Sequence, residues 1–145
     1  MELITTGTTR LAADANKSFD EAAHFNIRQQ STPNMTLAVG PGVANINGTI
    51  VKYAGGNTST FTAPTSNPRI DLIYIDSSGA LGYITGTEAA SPTAPNYPAD
   101  KLVIAEIYHR VGETSLKRKD DSINGYLYRF SALRQRGEFR DFVLG

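Results

Sequence analysis

Residues 67–108 read NPRIDLIYIDSSGALGYITGTEAASPTAPNYPADKLVIAEIY, and this stretch decides the fold class. Its ends, RIDLIYI (69–75) and KLVIAEIYHRV (101–111), are rich in β-branched and aromatic residues and have the length of strands. In the first, Ile70, Leu72 and Tyr74 share one face, with Ile73 and Ile75 on the other. Both faces are partly apolar, which predicts a central strand covered on both sides. DSSG (76–79) closes a hairpin that returns through residues 81–85. In the last strand Val103, Ala105 and Ile107 are expected inward and Glu106 outward. The linking segment carries Pro92, Pro95 and Pro98 at spacing three, which favours an extended, polyproline-like path. It reads as a crossover loop pinned to the surface, with a ligand for an SH3-like groove as the alternative.

Working outward, period two begins at Thr36. TLAV gives a short strand, Gly40-Pro41-Gly42 breaks it, and Asn47-Gly48 marks a hairpin, because a type I′ turn needs positive φ at both positions. Val51 and Tyr53 alternate there with Ile50 and Lys52, and TSTFTA (58–63) reads as an edge strand. Residues 1–35 differ. Their sequence predicts a short amphipathic helix, with Asp14 or Ser18 as candidate caps and Phe19, Ala22, Ala23 and Phe25 expected on one side. The segment reads either as packed on its own domain or as an arm docking on a partner. The C-terminal stretch sets Tyr126, Tyr128, Phe130, Leu133, Phe139 and Phe142 among Arg118, Arg129, Arg134, Arg136 and Arg140. Aromatics and arginine with few lysines are the composition of an interface core, a self-packed element being the alternative. The expected organisation is an arm over 1–35, a β module over 36–121 and an interface segment over 122–145.

At 145 residues the chain fits one domain and can bury about two thirds of its unfolded surface. Its 14 basic and 14 acidic residues balance, which argues against nucleic acid as the main partner. Cysteine is absent, removing disulfides, thiolate catalysis and Cys-based zinc sites. No run reaches the ~20 apolar residues of a membrane-spanning helix. Glu2 stands where a signal peptide carries positive charge, so the chain is expected to be made in the cytoplasm and not secreted by that route. The Asn-x-Ser/Thr sequons at Asn16, Asn34, Asn47 and Asn57 then read as turn and strand-edge chemistry.

Reactive groups do not converge in the sequence. His24 and His109 stand apart without partners at metal-ligand spacing, and no nucleophile elbow or phosphate loop is present. Asp120-Asp121 adjoins Lys117, Arg118 and Lys119, which favours mutual neutralisation over a raised carboxylate pKa. A calcium site at Asp76 or Asp120-Asp121 lacks the ordered oxygen pattern such sites need. Asp71, inside a central strand, must be paired; Arg69 on the same face is the candidate, with backbone donors. No catalytic residue, metal or cofactor is expected, and the chain is read as not an enzyme.

The string VGPGVANINGTIVKYAGGNTSTFTAPTSNPRIDLIYIDSSGALGYITGTEAASPTAPNYPADKLVIAEIYHRVGET, with its Asn-Gly hairpin and the phrase NPRIDLIYID-SSG-AL, resembles a module of tailed-bacteriophage virion proteins. Such modules sit in tail-fibre, baseplate and receptor-binding-protein attachment regions; the likeness covers about residues 38–121. It implies an all-β fold, an antiparallel β-sandwich with a short N-terminal helix or arm and an extended C-terminal segment. It also implies a homo-oligomer, a trimer favoured, docked on other virion proteins. The chain ends at Gly145 without the family's continuation into a fibre or head, which favours an adaptor, short fibre, baseplate piece or capsid decoration. Phe19, Phe25, Tyr126, Tyr128, Phe130, Phe139 and Phe142 are the expected contact residues. A carbohydrate-binding module for host-surface glycan is the alternative, set against the absence of Trp. A glycan depolymerase would need a carboxylate pair of suitable spacing.

Overall fold

The computed structural model describes residues 24–128. They form ten strands and, among the described residues, no helix. In chain order these are β1 (Ile27–Gln29), β2 (Leu37–Val39), β3 (Gly42–Ile46), β4 (Thr49–Tyr53), β5 (Gly56–Asn57), β6 (Arg69–Asp76), β7 (Leu81–Ile84), β8 (Lys101–His109), β9 (Leu116–Lys117) and β10 (Gly125–Tyr128). The largest sheet has five strands in the order β9-β10-β8-β6-β7. Its neighbours are antiparallel except β9 and β10, which run parallel. A three-stranded sheet, β1-β2-β5, and the β3–β4 hairpin complete the fold.

The central-strand reading of 69–76 follows from the pairing. β6 lies between β8 and β7, and its residues 69–73 are all buried. One of its faces carries Ile73 and Ile75 into an apolar cluster that gathers residues from all three sheets, among them Leu37, Val39, Ala44, Ile46, Val51, Ile107 and Leu116. The other carries Ile70 and Leu72, also buried. Asn47 and Gly48 turn the β3–β4 hairpin at φ 50° and 88°, the left-handed values that a type I′ turn needs. That hairpin alternates as expected: Val51 is buried and Ile50 is 63% exposed.

Three expectations are corrected. Val103 does not share a face with Ala105 and Ile107. The β6–β8 register shifts between Val103 and Ala105, where Ile104 is the extra residue of a bulge, so Val103 sits opposite Tyr74 while Ala105 and Ile107 sit opposite Ile73 and Asp71. TSTFTA is no edge strand; β5 ends at Asn57 and the following residues run irregularly beside β2. Their backbone N–H bonds to the β2 side run from Thr58 to the Leu37 carbonyl and from Phe61 to the Met35 carbonyl, and the Thr58 hydroxyl accepts the Leu37 N–H. The edge is replaced by Phe61, whose buried ring stacks on Tyr83 at 4.2 Å and pins the segment from inside. Finally, residues 27–29, inside the stretch read as an arm, are a strand paired with β2.

Candidate functional site: a buried charge cluster

β6 begins and β8 ends at the same end of the large sheet, which sets Arg69 directly opposite His109. Asp71, two residues along β6, shares their face. The Arg69 guanidinium grips the Asp71 carboxylate with Nε donating to Oδ1 at 2.8 Å and Nη2 to Oδ2 at 3.0 Å, a bidentate pair. Residues 110–113 then turn back, with Gly112 at φ 74°, and return Glu113 to the imidazole. Glu113 Oε2 lies 2.5 Å from His109 Nδ1. On the opposite side His109 Nε2 lies 3.1 Å from Asp71 Oδ2 without the alignment of a hydrogen bond, so attraction there is coulombic.

The four groups are sealed: Asp71 and His109 are 0% exposed, Glu113 4% and Arg69 6%. The Phe61 ring closes over His109 at 5.0 Å between centroids. Two cations face two carboxylates, the balance that buried charge requires. Burial alone pushes the His109 pKa down, but the carboxylates of Asp71 and Glu113 outweigh it and hold the imidazole above its ordinary value. Burial likewise pushes Asp71 up, yet His109, Arg69 and the Gly86 N–H bring it below the usual carboxylate range.

The remaining bonding capacity of the cluster goes to irregular backbone. Arg69 Nη2 donates to the Thr62 carbonyl at 2.5 Å. Asp71 Oδ1 accepts the Gly86 N–H at 2.8 Å, and Glu113 Oε1 accepts the Arg110 N–H at 2.9 Å. Segments near residues 62, 86 and 110 are thus tied to one point. Gly86 has to be glycine, because a Cβ there would meet the Ile70 carbonyl oxygen at 2.0 Å. Gly125 is crowded too: a Cβ there would meet the Tyr108 carbonyl oxygen at 2.9 Å and press on the side chains of Glu113 and Leu116. The cluster has the parts of acid–base chemistry, a histidine between carboxylates; among the described residues it is closed to solvent, and its bonds fasten loops to the sheet.

Elsewhere, Asp76 caps its own hairpin, accepting from the backbone of Ser78 and Ala80 and from the Ser78 hydroxyl. Asp120 pairs with Arg110 and Asp121 with Lys117. Backbone and side-chain donors of Asn124, the Ile123 N–H and Lys117 hold the Asp121 carboxyl well below its ordinary value. Among the described residues no group of three or more His, Asp or Glu is arranged to hold a metal ion. A shallow concavity of about 300 Å³ opens between β7 and residues 58–59, lined by Thr58, Ser59, Tyr74, Leu81, Gly82 and Tyr83.

Of the expected contact residues, Phe25 is buried in the apolar cluster, its ring filling the space beside Gly42. Tyr126 lies half-buried in β10, stacked on Tyr108 at 5.2 Å with the Arg110 guanidinium 4.9 Å from its ring centre. Tyr128 is the last residue of β10, paired with Glu106. Phe19, Phe130, Phe139 and Phe142 lie outside the described residues. Asp71 with Arg69 is the part of the cluster the sequence flagged. His109 and Glu113 were missed, since only strand register brings the first to Asp71 and only the turn at Gly112 returns the second. No family model, curated protein or solved structure matches the chain.

Proposed function

We propose that the chain is a non-enzymatic structural component of a tailed-bacteriophage virion, a tail or baseplate adaptor or short-fibre piece. In this reading it assembles as a homo-oligomer, a trimer favoured, and its terminal segments dock on neighbouring virion proteins. The finer fold proposed with it is a β-sandwich, the large sheet facing the two small ones across the shared apolar cluster. The observation that carries the reading is the use of the buried charges: Arg69, Asp71, His109 and Glu113 are spent on fixing loops to a sheet. A shape held this firmly suits a part whose task is to present fixed surfaces to other chains. The sequence resemblance over residues 38–121 supports the same assignment. Val43 and Ile50, diagonal neighbours on the outer face of the β3–β4 hairpin and 41% and 63% exposed, offer apolar surface for such contacts.

Size-exclusion chromatography with light scattering on the full chain tests the oligomer, with three copies expected and a monomer counting against it. Removing residues 1–23, which leaves β1 in place, is expected to abolish incorporation into particles; undiminished incorporation refutes docking by the arm. The concavity at Tyr74 and Tyr83 favours a second reading, a glycan-binding module for the host surface. Glycan-array binding by a monomeric protein would favour that reading over the first. A capsid decoration or head-fibre role differs from the first reading only in position on the particle.

A further inference from the structure

Between Pro64 and Pro68 lie three residues, Thr65, Ser66 and Asn67, and the backbone N–H groups of all three converge on one carboxylate. Thr65 N–H donates to Glu88 Oε2 at 3.1 Å, while Ser66 and Asn67 donate to Oε1 at 3.0 and 3.1 Å. Successive N–H groups aimed at one point form an anion-binding concavity. Here the flanking prolines restrict φ at both ends, so the donors are set before a ligand arrives. The same N–H groups, Asn67 first and then Thr65 and Ser66, lower the Glu88 pKa, and the Arg69 charge acts in the same direction. Two oxygens sharing three donors is the geometry of a carboxylate.

We infer that residues 65–67 are a carboxylate-binding site, filled in this chain by Glu88 and open to a free carboxylate once that side chain is removed. The ligand comes from the start of the proline-rich strap. Glu88 lies between Gly86, whose N–H reaches Asp71, and Ala89, whose N–H reaches the Pro68 carbonyl at 2.9 Å. The site is therefore also the outermost rivet of that strap, and a carboxylate presented by another chain competes with Glu88 for the same donors. Nothing in this assignment depends on what the protein assembles with.

Amide NMR of the full chain tests it. In Glu88→Ala, sodium formate is expected to move the Thr65, Ser66 and Asn67 amide signals together and saturably, while sodium chloride at equal ionic strength leaves them in place. In the unsubstituted protein the same formate titration is expected to leave them unchanged, because the tethered carboxylate already holds the site. Absence of a saturable shift in Glu88→Ala, or shifts of equal size with chloride or in the unsubstituted protein, overturns the proposal. Should Glu88→Ala not fold, Glu88→Ser, whose hydroxyl is too short to reach the three N–H groups, takes its place with the same two outcomes.

Discussion

With Asp71 replaced by asparagine, Arg69 and His109 keep a neighbour of the same size but lose the charge they share. Two buried cations then face Glu113 alone, and removing one partner of a buried pair leaves uncompensated charge in a poorly solvating interior. Asp71→Asn is expected to lower unfolding free energy by about 3–5 kcal/mol, measured by urea denaturation with an unchanged m-value. A loss under about 1 kcal/mol would mean that the cluster is far better solvated than its burial indicates. At this scale the sequence was informative where partners share a strand. Asp71 and Arg69 are two residues apart on one pleat, so their pairing follows from period two. His109 and Glu113, four residues apart, have the spacing of a helical pair. They meet instead across a turn that depends on Gly112 at φ 74°.

Strands, turns and straps divide the same way. β6, β7, β8 and the Asn47-Gly48 hairpin are legible because alternation and turn chemistry are local signals. The bulge at Ile104 is not, since KLVIAEIY alternates well enough to hide one extra residue and only the mismatch with β6 exposes it. Residues 58–63 look like a strand by composition, yet the burial of Phe61 against Tyr83 and His109 overrides the propensity of their threonines. The strap offers the sharpest test at this level. Gly86→Ala would drive a methyl group into the Ile70 carbonyl, forcing residues 86–89 away from β6 and breaking the bond to Asp71. The expected cost is about 1–3 kcal/mol, with faster amide hydrogen exchange at residues 86–89 as its signature. Exchange unchanged there would show that the strap is held by other contacts.

For the whole molecule, the charge cluster sets the response to pH. His109 has its folded-state pKa raised above its unfolded value, so its contribution to stability is complete below the unfolded value, about 6.5, and is lost as pH climbs through the folded one. Asp71 is depressed, so its contribution is present above its unfolded value and disappears as pH falls through the folded one. The groups facing the imidazole are Asp71 and Arg69 from β6 and Glu113 from the turn after β8. The melting temperature is expected to fall on the alkaline side, and His109→Gln, which cannot carry the proton, is expected to flatten that limb. Parallel alkaline limbs in the two proteins would remove His109 as the cause.

Strand order also governs when this fold can exist during synthesis. β1 to β5 are made first, but the apolar cluster they contribute to includes Ile107 and Leu116. Until that part of the chain has left the ribosome, their inner faces can meet only the incomplete cluster formed with Phe61, Ile73 and Ile75, and the domain waits partly unpacked in the cell. Nascent chains stalled before residue 101 should accordingly be good chaperone clients, and release of β8 and then of Leu116 in β9 is what ends their exposure.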